Sequence, residues 1–191
     1  DSISSILDAV RAYNGPANVI YAEGCKKMGT DRSGFKAAMD AVDQADKVLM
    51  VIGEDWDWSG EAASRTDIGV PGIQSELLKM IASTGKPVAV VLLNGRPLVL
   101  EEESKDADAL LEAWYPGTMG AEAVTDIIFG QYNPSGKLTM TFPRTVGQCP
   151  IYYNHKHNPR PVSRGRTNFK RYSSNWFDCP ITPLYPFGYG L

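Results

Sequence analysis

The chain has 191 residues, 43% of them apolar and 21% charged, with a formal net charge of −3. That length supports a domain with a real core, the balance is ordinary for a globular protein, and without a block of like charge there is no nucleic-acid footprint. No run reaches the ~18 apolar residues that span a bilayer, and no signal peptide opens the sequence.

Taken in order, Ile3, Ile6, Leu7 and Val10 have helical spacing and predict a helix over 3–13, stopped by Asn14-Gly15-Pro16. Val19-Ile20-Tyr21 predicts a short strand. The polar loop that follows holds Gly29-Thr30-Asp31-Arg32-Ser33-Gly34, but Phe35-Lys36 stands where a phosphate loop needs Lys and Ser or Thr. Ser33 is instead expected to cap the next helix, over 34–45, with Phe35, Ala38, Met39 and Val42 inward.

The run 47–52 predicts a buried strand, and Ile73, Leu77, Met80 and Ile81 predict a helix over 72–83. Val88 to Leu93 is unbroken and apolar, as in a parallel strand buried on both faces. The acidic run Glu101-Glu102-Glu103 reads as solvated surface, 109–114 as a strand, 118–129 as a helix, and 138–142 as a strand of period two.

Beyond Pro143 periodicity is lost, while Tyr152, Tyr153, Tyr172, Trp176, Phe177, Tyr185, Phe187 and Tyr189 are too many aromatics for a free linker. The expected fold is α/β: a flavodoxin-like three-layer sandwich, a mostly parallel sheet with helices on both faces. Residues 1–142 form that domain, and 143–191 form an irregular arm packed on it. The abrupt ends at Asp1 and Leu191 read as a piece of a longer chain.

Cys25, Cys149 and Cys179 are too few for a disulfide scaffold and lack zinc spacing, so burial as small apolar side chains is expected, with one bridge open. His155 and His157 lack a third partner for a metal and read as structural. No metal and no cofactor is expected.

Chemistry is expected in the loop between Gly53 and Val70, about 18 residues and longer than most connections. It leaves the carboxyl end of a strand, where open parallel sheets bind ligands. It carries Glu54, Glu61, Trp56, Trp58 and Arg65. A carboxyl group beside aromatic rings has its charged form disfavoured and can donate a proton near neutrality, as the general acid of glycoside cleavage must. The two Trp can stack on sugar rings. Composition leaves a second reading open, with one Trp filling a core gap and both Glu solvated.

Ser59-Gly60-Glu61-Ala62-Ala63-Ser64-Arg65-Thr66-Asp67, with Val70-Pro71-Gly72 after it, resembles the active-site segment of the C-terminal α/β-sandwich domain of glycoside hydrolase family 3. Further matches are Lys86-Pro87-Val88, Asn94-Gly95-Arg96-Pro97-Leu98, Ala113-Trp114-Tyr115-Pro116-Gly117, Tyr132-Asn133-Pro134-Ser135-Gly136-Lys137-Leu138, Thr141-Phe142-Pro143 and the tail from Pro183 to Leu191. The family's bacterial periplasmic β-glucosidases are the most similar in these motifs.

The resemblance implies a retaining, exo-acting hydrolase of terminal β-D-glucosyl residues, periplasmic or secreted. Its nucleophile is an Asp on a separate N-terminal (β/α)8 barrel, and its acid/base maps onto Glu61. Glu54 is the rival and better suited to a supporting role. Arg65 and Asp67 would form an ion pair that shapes the loop, while Trp56, Trp58 and Arg65 are the candidate substrate contacts. The tail would lead toward a fibronectin-like third domain. The partners implied are a β-glucoside or oligosaccharide and the barrel in cis, with no nucleic acid and no membrane. The chain without its barrel is expected to be nearly inert. A β-xylosidase or other exo-glycosidase of the family is the alternative, and a non-catalytic sugar-binding module is the alternative from another class.

Overall fold

The computed structural model of the chain describes residues 3–156, 160 and 172–191. Five α-helices and three strands follow one another among them: α1 (Ile6–Asn14), α2 (Phe35–Gln44), β1 (Val48–Gly53), α3 (Gln74–Ala82), β2 (Val88–Leu93), α4 (Glu103–Asp106), β3 (Ala109–Glu112) and α5 (Gly120–Ile128). The chain divides into two compact units.

The first unit comprises 1–66, 70–96 and 102–134. Its sheet is parallel in the order β1-β2-β3, with Val48 opposite Val88 and Ala89 opposite Ala109. The apolar run of β2 explains its central place. Val90, Val91 and Leu92 are successive, point to alternate faces, and are all buried, so both faces are covered. This is the expected α/β sandwich. The helices supply the cover through Phe35, Ala38 and Val42 of α2, Leu77, Leu78 and Ile81 of α3, and Ala121 and Val124 of α5.

Local signals set the helix ends. Helix α1 starts at Ile6 and not at 3 because Ser5 caps it, its hydroxyl accepting from Asp8 N–H while Asp8 reaches back to Ser5 N–H. At the other end of the unit's core, Lys86 donates its ammonium to the carbonyls of Val42, Asp43 and Ala45 at 2.5, 2.9 and 2.6 Å, closing the carboxyl end of α2.

Several expectations fail here for identifiable reasons. Val19-Ile20-Tyr21 joins no strand; Ile20 and Tyr21 are exposed. Ser33 does not cap α2, because its N–H and hydroxyl both go to Asp31 and Gly34 holds the cap position. In α3, Met80 is exposed while Leu78 is fully buried, so the inward face is turned from the expected one. Glu103 is not solvated surface: it is buried in α4 and accepts from the Ser75 hydroxyl. Cys179 is buried as expected, but Cys149 is exposed and Cys25 half-buried, and all three are free thiols.

The second unit comprises 67–69, 97–101 and 135–191. Gly69 and Val99 form a parallel bridge, flanked by the fully buried Leu98 and Leu100. Residues 138–142 do not form a strand of a sheet. They pair with the tail instead, Phe142 bridging antiparallel to Tyr185 and Leu138 exchanging backbone bonds with Gly188 and Tyr189. Period two marked a pairing segment, but its partner is irregular chain. Arg144 bonds Glu101 at 2.8 Å and Thr182 O at 3.1 Å, and Gln148 holds Arg144 N–H and Pro180 O. Residues 157–159 and 161–171 of the expected arm lie outside the described residues.

Candidate active site

The loop after β1 is fastened at its root by backbone geometry. Gly53 takes φ +143°, and a side chain there would drive into the Leu93 carbonyl, so only glycine lets the two strand ends approach. The Gln74 side chain, buried at the start of α3, accepts from Gly53 N–H at 2.9 Å and donates to Gly53 O at 3.0 Å and Pro71 O at 2.9 Å. One amide thus ties the exit of β1 to the re-entry of the loop. Glu54 N–H continues the ladder to Leu93 O at 2.8 Å, which turns the Glu54 side chain inward over the strand ends.

Glu54 is the anchor of the loop. Its side chain is 0% exposed, and Arg65 Nη1 lies 2.6 Å and Arg96 Nε 3.0 Å from its Oε1. Its Oε2 accepts from Gly95 N–H and Arg96 Nε, both at 3.3 Å. A buried carboxylate is tolerable only when its charge and its lone pairs are met in this way. Arg96 then grips the loop from below, donating to Trp58 O and, at 2.9 Å, to Ala63 O. Arg65 lies over the Trp58 ring, 4.9 Å from its centre.

Neighbouring groups extend the frame. Asp55 caps a single 3₁₀ turn, Trp56–Trp58, by accepting from Trp56 N–H. Its carboxyl is held below the usual range by the Lys27 ammonium at 2.6 Å and by that N–H. Tyr115 donates its hydroxyl to Asp55 O at 2.9 Å, and burial followed by the charge of Glu54 pushes its phenol up. Ser59 donates to Gly95 O at 3.2 Å.

Glu61 is set quite differently. Ala63 N–H bonds Gly60 O at 3.3 Å, closing a four-residue turn with Glu61 and Ala62 at its centre. Ala62 is held at φ +60°, a conformation uncommon for a residue with a side chain. Arg96 holds this turn through Ala63 O. The turn is therefore tethered, and Glu61 is exposed at its tip with no hydrogen bond or ion pair to any described residue.

The structure thus brings Glu54, Trp58 and Arg65 into one cluster and leaves Glu61 and Trp56, the latter 79% exposed, facing outward. Arg65 meets Glu54, the partner that sequence reasoning had not given it. Asp67, expected as that partner, accepts from Gly69 N–H at 2.9 Å. Glu54 meets two guanidiniums and a backbone N–H, and Glu61 is exposed. Sequence reasoning did not single out Arg96, although it stands in the turn Asn94-Gly95-Arg96-Pro97 at the carboxyl end of a buried strand and in one of the segments that carry the family resemblance. Among the described residues no cluster of His, Cys, Asp and Glu could hold a metal ion; His155 is exposed beside its neighbour's carbonyl, and His157 lies outside the described residues.

Sequence comparison matches residues 2–191 to the glycosyl hydrolase family 3 C-terminal domain. A periplasmic beta-glucosidase of Salmonella typhimurium is 50% identical over 154 residues, covering 81% of this chain and 20% of its own length. A beta-xylosidase of Formosa agariphila is 40% identical over 188 residues, covering 98% of this chain and 25% of its own length. Among solved structures, the beta-glucosidase of Listeria innocua in complex with gluconolactone superposes with a TM-score of 0.82 at 42% identity, over 87% of this chain and 23% of that one. The chain spans a fifth to a quarter of these relatives.

Proposed function

Since the chain belongs to the glycosyl hydrolase family 3 C-terminal domain family, we propose that it serves as the second domain of a longer, retaining, exo-acting β-glucosidase, in which Glu61 is the general acid/base. The observation that carries this reading is the contrast inside one loop. Glu54 is consumed by two arginines, while Glu61 stands uncommitted at the tip of a strained turn that those same interactions tether. A proton-transfer residue must be free to meet the substrate yet held in position.

In the intact enzyme Glu61 protonates the departing aglycone oxygen while an Asp of an N-terminal barrel attacks the anomeric carbon. Glu61 then takes a proton from the water that releases the glycosyl-enzyme intermediate. Retention requires the two carboxyl groups to lie about 5–5.5 Å apart, so Glu61 must face that barrel, which an exposed tip allows. Trp56 and Trp58 line the aglycone side, with Arg65 over the Trp58 ring. The substrate is a β-glucoside or oligosaccharide, the obligatory partner is the barrel in cis, and the tail leads toward a third domain. A periplasmic or exported setting is supported by the similarity to the Salmonella periplasmic beta-glucosidase.

The test is hydrolysis of p-nitrophenyl β-glucoside by the full-length enzyme and by its Glu61→Ala variant, with and without azide. Loss of activity partly restored by azide, with a glycosyl azide of retained configuration as product, supports Glu61. Near-normal hydrolysis by the variant removes the assignment. A β-xylosidase is the second reading, favoured by the 40% identity to a beta-xylosidase over almost the whole chain. A higher kcat/KM on the matching xyloside would establish it.

A further inference from the structure

The turn Trp56–Trp58 carries both tryptophans of the candidate site, and so short a piece of 3₁₀ helix does not hold its own orientation. It closes through Trp58 N–H on Asp55 O at 3.1 Å. What steadies it comes from distant parts of the chain and converges on Asp55. The carbonyl that closes the turn also accepts the Tyr115 hydroxyl at 2.9 Å. On the side chain, Oδ1 accepts from Trp56 N–H at 2.9 Å and Oδ2 meets Lys27 Nζ at 2.6 Å. The Lys27 carbonyl in turn accepts from Gln74 Nε2 at 3.3 Å, at the root of the same loop.

Tyr115 reaches that carbonyl from the loop after β3. Just before it, Trp114 is held at φ +51°, with its N–H donated to Glu112 Oε1 at 2.9 Å. Backbone strain of this kind persists only where the surrounding structure over-determines it. The Tyr115 ring lies against Gly95, where an added Cβ would come within 2.8 Å of Tyr115 Cε2. Gly95 donates its N–H to Glu54 Oε2 at 3.3 Å. One side chain thus spans from the buried anchor of the loop to the carbonyl of its exposed turn.

We propose that Tyr115 is a positioning residue for the aglycone: its hydroxyl, bound to the Asp55 carbonyl, sets where the Trp56 and Trp58 indoles stand and so which aglycones are accepted. The consequence for substrate rests on the function proposed above; the fixing of the turn does not. Lys27 is the weaker of the two holds on Asp55. It ends a long, half-exposed side chain whose ion pair solvent screens, whereas the Tyr115 ring is stiff and backed by Gly95.

The test uses the full-length protein with fluorotryptophan incorporated. Tyr115→Phe keeps the ring against Gly95 and removes only the hydroxyl. The fluorine NMR resonance of Trp56, assigned by its loss in Trp56→Phe, should shift and broaden in Tyr115→Phe and stay in place in Tyr132→Phe, which alters an exposed tyrosine elsewhere. With p-nitrophenyl β-glucoside, kcat/KM of Tyr115→Phe should fall about threefold to tenfold, the range expected of one lost hydrogen bond. The second phase after the burst, in which the aglycone has already departed, should keep its rate. An unmoved resonance overturns the proposal. So does an equal loss in both steps, which a merely structural tyrosine would give. A moved resonance with unchanged kcat/KM on every aglycone overturns the role in aglycone selection. If Glu61→Ala is fully active while the resonance moves, the catalytic reading falls and the hold of Tyr115 on the turn stands.

Discussion

Glu54 and Glu61 lie in the same loop, and their surroundings are opposite. At the root, Glu54 has no exposed side-chain surface and meets two guanidiniums and a backbone N–H. At the tip, Glu61 faces solvent beside a residue forced into the left-handed region. What separates them is distance from the strand. The residue just after β1 is still steered by the ladder and by Gln74, while the residue on the turn is steered only through its backbone. One loop thus commits one carboxylate to its own anchoring and leaves the other exposed.

The largest expected effect would break this contrast if it failed. Glu61→Ala in the full-length enzyme should lower kcat by about 10²–10⁴, the range typical of a lost general acid/base. Its unfolding free energy should change by no more than about 0.5 kcal/mol, as for other exposed sites. Glu54→Ala should do the reverse in kind. It leaves Arg65 and Arg96 facing each other without their anion, and should cost about 3 kcal/mol in chemical denaturation. That figure is the low end of the range for a broken buried pair, since the two guanidiniums keep 17% and 18% exposure. If Glu54→Ala is as stable as wild type, the anchoring role is wrong.

The parts of this arrangement were unequally legible in the sequence. The strand β2 announced itself because burial on both faces demands an unbroken apolar run, and its limits came out residue for residue. The loop was visible from its length and its Trp and Glu content. The resemblance suggested the division of labour between its carboxylates, but not the group that holds Glu54 in place: Arg96 is distant in sequence and is brought to the loop only by the pairing of β1 with β2. Glu103 was misjudged for a related reason. In a run of three Glu, nothing local marks the one that α4 turns toward Ser75. The segment 138–142 had the alternation of a strand, but alternation reports one covered face and says nothing about whether the partner is regular.

A smaller perturbation sharpens the comparison by moving the frame while both carboxylates stay in the sequence. A side chain at Gly95 would collide with the Ser59 side chain and come within 2.8 Å of the Tyr115 ring. Gly95→Ala should therefore cost about 1–3 kcal/mol and displace the segment between Trp58 and Glu61. Since Gly95 also donates to Glu54, the loss should appear in kcat and in stability together. A stability loss without any kcat change would mean that the root and the tip are uncoupled.

The smallest effects separate the two tryptophans. Trp58 supports Arg65 from below, so Trp58→Leu removes a cation–π contact of about 1 kcal/mol and should lower the denaturation midpoint before it changes KM. Trp56 is exposed on the same 3₁₀ turn, so Trp56→Ala should leave the midpoint in place, within about 0.5 kcal/mol. If its ring stacks on the aglycone, KM for an aryl glucoside should rise while hydrolysis of the glycosyl-enzyme intermediate, from which the aglycone has already left, keeps its rate. Burst kinetics with an activated aryl glucoside distinguish these steps. A changed second phase in Trp56→Ala would place the ring elsewhere than the aglycone side, and an unchanged KM would reduce it to surface.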